Sequence, residues 1–114
     1  MQTPASVAWP SGDTSRIPFA VYTDENLHQK ELERFFYRGH WCYVGLEAEV
    51  PNPGDFKRTV VGERSVILSR AADGQLHCFE NVCAHRGMPF CRKRHGSGVK
   101  DFVCPYHQWS YTLS

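Results

Sequence analysis

The chain has 114 residues, 41% hydrophobic and 22% charged, a balance that suits one small folded domain and excludes a disordered class. Thirteen Lys and Arg face twelve Asp and Glu, so the net charge of +1 offers no global field for nucleic acid or an anionic membrane. The longest aliphatic run, Val66-Ile67-Leu68, is far shorter than the ~18 apolar residues of a membrane span.

Residues 1–18, rich in Pro, Ser, Thr and Gly without a period, read as an extended arm. They have neither the basic start nor the apolar block of a secretory signal, so a cytoplasmic location is expected. Thr23 or Asp24 can cap a helix, and Asp24 and Glu25 suit its positive end. The spacing predicts a helix over 24–38, with Leu27, Leu32, Phe35 and Phe36 as its apolar stripe and Gly39 as its stop. The expected division is an arm and helix over 1–40 and a second domain over 41–114.

No helical period returns after Gly39. Trp41-Cys42-Tyr43-Val44 is a β-type run, followed by the breaker block Pro51-Asn52-Pro53-Gly54. Residues 56–61 and 64–70 read as strands joined across Gly62-Glu63, where Gly suits the first position of a tight hairpin turn. Ala72-Asp73-Gly74 signals a second hairpin into 75–80. The basic run Arg92-Lys93-Arg94-His95 reads as a loop ending at Gly96-Ser97-Gly98. Short strands with Gly-bearing turns predict a mainly β chain, an antiparallel sandwich or small barrel after one N-terminal helix.

Five cysteines, an odd number without an export signal, argue against a disulfide framework and for metal binding or catalysis. Cys42, Cys78 and Cys91 read as small buried hydrophobes or free thiols. Cys83-Ala84-His85-Arg86-Gly87 and Cys104-Pro105-Tyr106-His107 differ, because each places one thiol and one imidazole within chelating distance. Together they read C-x-H, eighteen residues, C-x-x-H. Zinc would hold all four on one tetrahedral ion, usually from separate Cys and His pairs, and the mixed pairs here fit that poorly. A [2Fe–2S] cluster with two Cys on one iron and two His on the other suits them better, since each loop gives one ligand to each iron.

Asn81-x-Cys83-x-His85-Arg86-Gly87, with Cys104-Pro105-Tyr106-His107-x-Trp109-x-Tyr111, closely resembles the Rieske motif of ring-hydroxylating oxygenase large (alpha) subunits. The resemblance runs from about Ile17 to Leu113, and within the family it is nearest in wording to salicylate 5-hydroxylase and anthranilate-type dioxygenase large subunits. Two departures affect loop shape: the spacer is slightly long, and Gln108 stands where many members have Gly. The resemblance implies a Rieske [2Fe–2S] domain over 41–114, incomplete at its C-terminus, with Cys83, His85, Cys104 and His107 as ligands. Respiratory Rieske proteins resemble the motif too, but Met88 and Tyr106 stand where those have disulfide cysteines, and Trp109 replaces a Ser. A low-potential centre of the oxygenase kind follows.

The resemblance further implies that electrons arrive from a ferredoxin or reductase and pass to a mononuclear non-haem iron that this chain does not hold. Such enzymes hydroxylate aromatic acids with O2 and NADH, as rings of three large subunits, often with small (beta) subunits. The isolated chain is therefore expected to accept electrons without hydroxylating. Between Arg86 and Val103 five Lys or Arg oppose only Asp101, so Arg92, Lys93 and Arg94 are candidates for docking an acidic donor. Trp109 and Tyr111 read as packing for the cluster loops. Two other functional classes fit part of the pattern: a free-standing Rieske ferredoxin, which the residues ahead of position 41 disfavour, and a structural zinc module.

Overall fold

The computed structural model describes residues 7–9 and 13–114; positions 1–6 and 10–12 of the expected arm lie outside them. The chain divides into two compact units, Met1–His40 and Trp41–Ser114.

In the first unit, residues 13–18 have no regular structure and lead to a one-turn helix, α1 (Ala20–Thr23). Asp24 is extended, and its carboxylate accepts from Leu27 N at 3.0 Å, which caps α2 (Glu25–Glu31). The helix expected over 24–38 is shorter in its regular part. After Glu31 it widens into a π-type turn, Leu32–Phe36, closed by Tyr37 N donating to Leu32 O at 3.0 Å, five residues back. Of the expected apolar stripe only Leu32 is buried, while Phe35 and Phe36 are exposed.

In the second unit, Trp41-Cys42-Tyr43-Val44 is not a strand. Strand propensity makes a ladder only where a partner backbone lies alongside, and no ladder forms here among the described residues. Trp41 and Tyr43 stand in solvent. Three strands then form an antiparallel meander: β1 (Phe56–Val61), β2 (Arg64–Arg70) and β3 (Leu76–Glu80). The register Val61↔Arg64 leaves Gly62-Glu63 as a two-residue turn, and Gly62 takes the positive φ of 59° that such a turn needs first. Ala71 N donates to Gln75 O at 2.9 Å, closing the second hairpin.

The basic run is not wholly a loop. His95–Gly96 forms a short strand, β4, antiparallel to β1 with Lys57↔His95 and Phe56↔Gly96, so the sheet order is β3-β2-β1-β4. Arg58 N donates to Arg94 O at 2.7 Å beyond that register. The open edge of β1 carries unpaired backbone groups that a passing segment can satisfy, which draws the end of the run into the sheet. A second sheet pairs β5 (Phe102–Val103) with β6 (Ser110–Tyr111).

β2 is central, and its Val66, Ile67, Leu68 and Ser69 are all buried, as a strand covered on both faces requires. Ser69 Oγ donates to Leu113 O at 2.6 Å, so the polar member of that run is satisfied and the segment after β6 is tied to the sheet centre. The core joins Phe56, Ile67, Phe90 and Phe102 with the two motif cysteines, Cys83 and Cys104. Phe56 meets Phe102 edge to face at 5.1 Å, a favourable ring geometry.

Candidate metal centre

The first motif loop leaves the end of β3, and the second joins β5 to β6. The two close by the same hydrogen bonds. In the first, Gly87 N donates to Cys83 O at 2.7 Å and Cys83 N to Met88 O at 2.8 Å. In the second, Gln108 N donates to Cys104 O at 2.9 Å and Cys104 N to Trp109 O at 2.8 Å. Each loop thus turns on one residue with positive φ: Gly87 at 73° and Gln108 at 63°. Gln108 is the only non-glycine residue with positive φ among the described residues. The departure noted in the sequence therefore keeps the loop's shape, and its cost is a side chain in a backbone region that L-residues avoid.

This closure sorts the four motif side chains into two pairs. Cys83 and Cys104 are 3% and 1% exposed and belong to the same core cluster, at the base of the site. His85 and His107 are exposed on the rim, with ring centroids 4.6 Å apart and planes at 84°. Trp109 stacks on His85 at 4.7 Å and 15°, and Tyr106 packs on His107 at 3.9 Å. The Arg86 guanidinium lies 5.9 Å from the centre of the Tyr106 ring, within cation–π range.

Tyr111 was expected only to pack. It does stack on Phe90 at 4.7 Å, but its hydroxyl also lies 3.0 Å from Cys83 Sγ and accepts from Ala84 N at 2.9 Å. The hydroxyl holds the Cys83 thiol below the ordinary thiol range, chiefly by hydrogen bonding to its charged form, and the same contact raises Tyr111. Asn81 is the other residue whose part went unread. It is 1% exposed, accepts from Cys91 N and donates to Cys91 O, both at 2.8 Å, and so staples the two ends of the first loop. A polar-tipped aromatic and an amide placed within a few residues of the motif cysteines were the available signals.

The remaining sites fall elsewhere. All five cysteines are free. Cys91 is buried, which pushes its thiol up, whereas Cys78 is exposed. Arg92, Lys93 and Arg94 are exposed on the segment entering β4. Among the described residues, no three His, Cys, Asp or Glu side chains form a group suited to one metal ion, and no helix is long and apolar enough to cross a membrane. Two sulfurs in the core and two ring nitrogen donors at the rim fit a two-iron centre, with soft thiolates for one iron and imidazoles for the other.

The sequence profile of the Rieske [2Fe-2S] domain matches residues 40–114. The chain belongs to the Rieske [2Fe–2S] domain family. This Rieske chain is 66% identical over 110 residues to the large oxygenase component of salicylate 5-hydroxylase from Ralstonia sp., covering 96% of the chain and 26% of that protein. It is 44% identical over 107 residues to the anthranilate 1,2-dioxygenase large subunit of Burkholderia cepacia, covering 94% and 25%. Among solved structures, naphthalene 1,2-dioxygenase from Rhodococcus sp. bound to indole superposes with a TM-score of 0.76 at 35% identity, covering 84% of the chain and 21% of that one. The Rieske chain spans about a quarter of the length of these curated relatives. The longest of these matches also takes in most of the residues ahead of the Rieske profile.

Proposed function

We propose that this chain is the electron-accepting segment of an aromatic-ring-hydroxylating oxygenase large subunit, with Cys83, His85, Cys104 and His107 holding a [2Fe–2S] cluster. The observation that carries this reading is the sorting of the four side chains by mirrored loops into a buried thiol pair and an exposed imidazole pair. Residues 41–114 form the cluster domain, and residues 1–40 belong to the oxygenase rather than to a free carrier. The likeness to oxygenase large components across most of the chain supports that assignment.

When bound, the cluster supplies a one-electron store, made easier to reduce by two neutral imidazoles in place of two thiolates. The protein's own residues set its surroundings. Phe90 and Phe102 keep water from the sulfur side, and the Tyr111 hydroxyl directs a hydrogen bond to Cys83 Sγ. His85 and His107 would each offer one ring nitrogen to the metal and present the other edge at the exposed rim. Trp109 and Tyr106 fix the planes of those rings by contact.

In the complete enzyme, electrons arrive from a ferredoxin or reductase that docks on a basic surface including Arg94. They leave by the imidazole edge toward a mononuclear non-haem Fe(II) outside this chain, for hydroxylation of an aromatic acid. Trimers of large subunits with small (beta) subunits, in the cytoplasm, complete the reading. Metal and sulfide analysis tests it: the loaded chain contains two irons and two labile sulfides, is brown, and has a low midpoint potential. One zinc per colourless chain overturns the cluster, and a strongly positive midpoint overturns the oxygenase type.

A further inference from the structure

The basic run does not form one face. Arg94 turns to a groove of about 710 Å³ over β1 and β4, which it lines with Lys57, Arg58, Glu49 and His95. Arg92 and Lys93 line a smaller groove of about 380 Å³ that also contains Asp101. Equal charges in the sequence are thus divided between two sites of different character.

In the larger groove, Lys57 is occupied by Glu49 at 2.8 Å, which leaves Arg58 and Arg94 as the groove's cations without an ion pair among the described residues. Arg58 makes one long bond, from Nη1 to Cys91 O at 3.4 Å, and has donors to spare for a carboxylate. That same Cys91 carbonyl accepts from the Asn81 amide, which staples the loop of Cys83. A charge held at Arg58 is therefore two hydrogen bonds from the base of a motif loop. In the smaller groove Asp101 opposes an acidic visitor.

We propose that the groove over β1 and β4, anchored by Arg58 and Arg94, docks a carboxylate-rich face of the electron-donor protein, and that the groove of Arg92 and Lys93 does not. This rests on the reading of the chain as a Rieske electron acceptor. Guanidinium pairs in a shaped recess bind paired carboxylates with geometry as well as charge, which isolated surface lysines do not.

Two double variants remove the same charge from different grooves: Arg58→Gln with Arg94→Gln, and Arg92→Gln with Lys93→Gln. Affinity for an oxidised acidic [2Fe–2S] ferredoxin is measured by calorimetry on the cluster-loaded full-length protein across a range of salt. The first pair is expected to lose roughly tenfold in affinity and to flatten the salt dependence, while the second loses much less. Arg58→Lys with Arg94→Lys keeps the charge and controls for the lost bond to Cys91, and thermal melts control for folding. Equal losses in both glutamine pairs, a larger loss in the second, or no ferredoxin binding by the wild type overturns the proposal. So does competition by millimolar phosphate beyond its ionic strength, which assigns the groove to a free anion. The visible spectrum of the wild type reports separately on the cluster, so failure of that reading is told apart from failure of the groove.

Discussion

The hydroxyl of Tyr111 lies 3.0 Å from the sulfur of Cys83 while its oxygen accepts the Ala84 amide hydrogen at 2.9 Å. With the oxygen engaged in that way, the hydroxyl proton is free to turn to the sulfur. A hydrogen bond to a ligand sulfur favours the more negative, reduced state.

Removing that proton donor tests the arrangement. Tyr111→Phe keeps the ring that stacks on Phe90 and lowers the midpoint potential by roughly 20–60 mV, the equivalent of one hydrogen bond of about 0.5–1.5 kcal/mol. A redox titration of both proteins reads the shift, and an unchanged midpoint removes Tyr111 from the centre.

Gln108 holds φ at 63° where its counterpart in the other loop is a glycine at 73°. Gln108→Gly relieves that backbone and should stabilise the chain by about 0.5–1 kcal/mol after the extra entropy of glycine is set against it. Gly87→Ala should destabilise by about 1–2 kcal/mol through φ alone, since an added Cβ meets nothing within 4 Å. Urea unfolding of the two variants, with opposite signs expected, checks the pair.

Asn81 is the staple of the first loop, and Asn81→Ala leaves the Cys91 amide without its partner and the Cys91 carbonyl with only the long bond from Arg58. Loss of about 2–3 kcal/mol is expected from the unmet buried groups. Denaturant melts measure it, and a loss below 0.5 kcal/mol (about one weak bond) would show that water replaces the amide.

Glu49 accepts from Leu46 N at 2.7 Å and pairs with Lys57, and these bonds, the Lys57 contact first, hold its carboxyl below the usual glutamate range. A depressed folded-state value means that the stabilisation is complete above the unfolded value of about 4.3 and is lost as pH falls through the lower folded one. The Leu46 amide resonance, followed by NMR from pH 6 downward, should move with a midpoint below that of a free glutamate.

The meander was legible because local signals agreed: the strand-like runs 56–61 and 64–70, Gly62 at the turn between them, and a second turn at Ala72-Asp73-Gly74 all favour one register. Trp41-Cys42-Tyr43-Val44 misled because a strand needs a partner backbone, and no window of sequence shows whether one is near. His95 was hidden for the converse reason, since it enters β4 only through the vacant edge of β1, 38 positions earlier at its partner Lys57. In the motif, residue identity was enough to pick out Cys83, His85, Cys104 and His107. The contacts of Tyr111 and Asn81 depend on how two distant loops meet, which spacing does not encode.

The two loops close alike, yet they are not equally secure. One is stapled at its base by a buried amide and turns on a glycine at ease; the other turns on a glutamine under backbone strain. Symmetry of form thus conceals an order of failure. The turn at Gln108 is therefore expected to open before the turn at Gly87 as denaturant is raised, although the β5–β6 ladder holds the base of its loop, and amide exchange at the two positions would read the order.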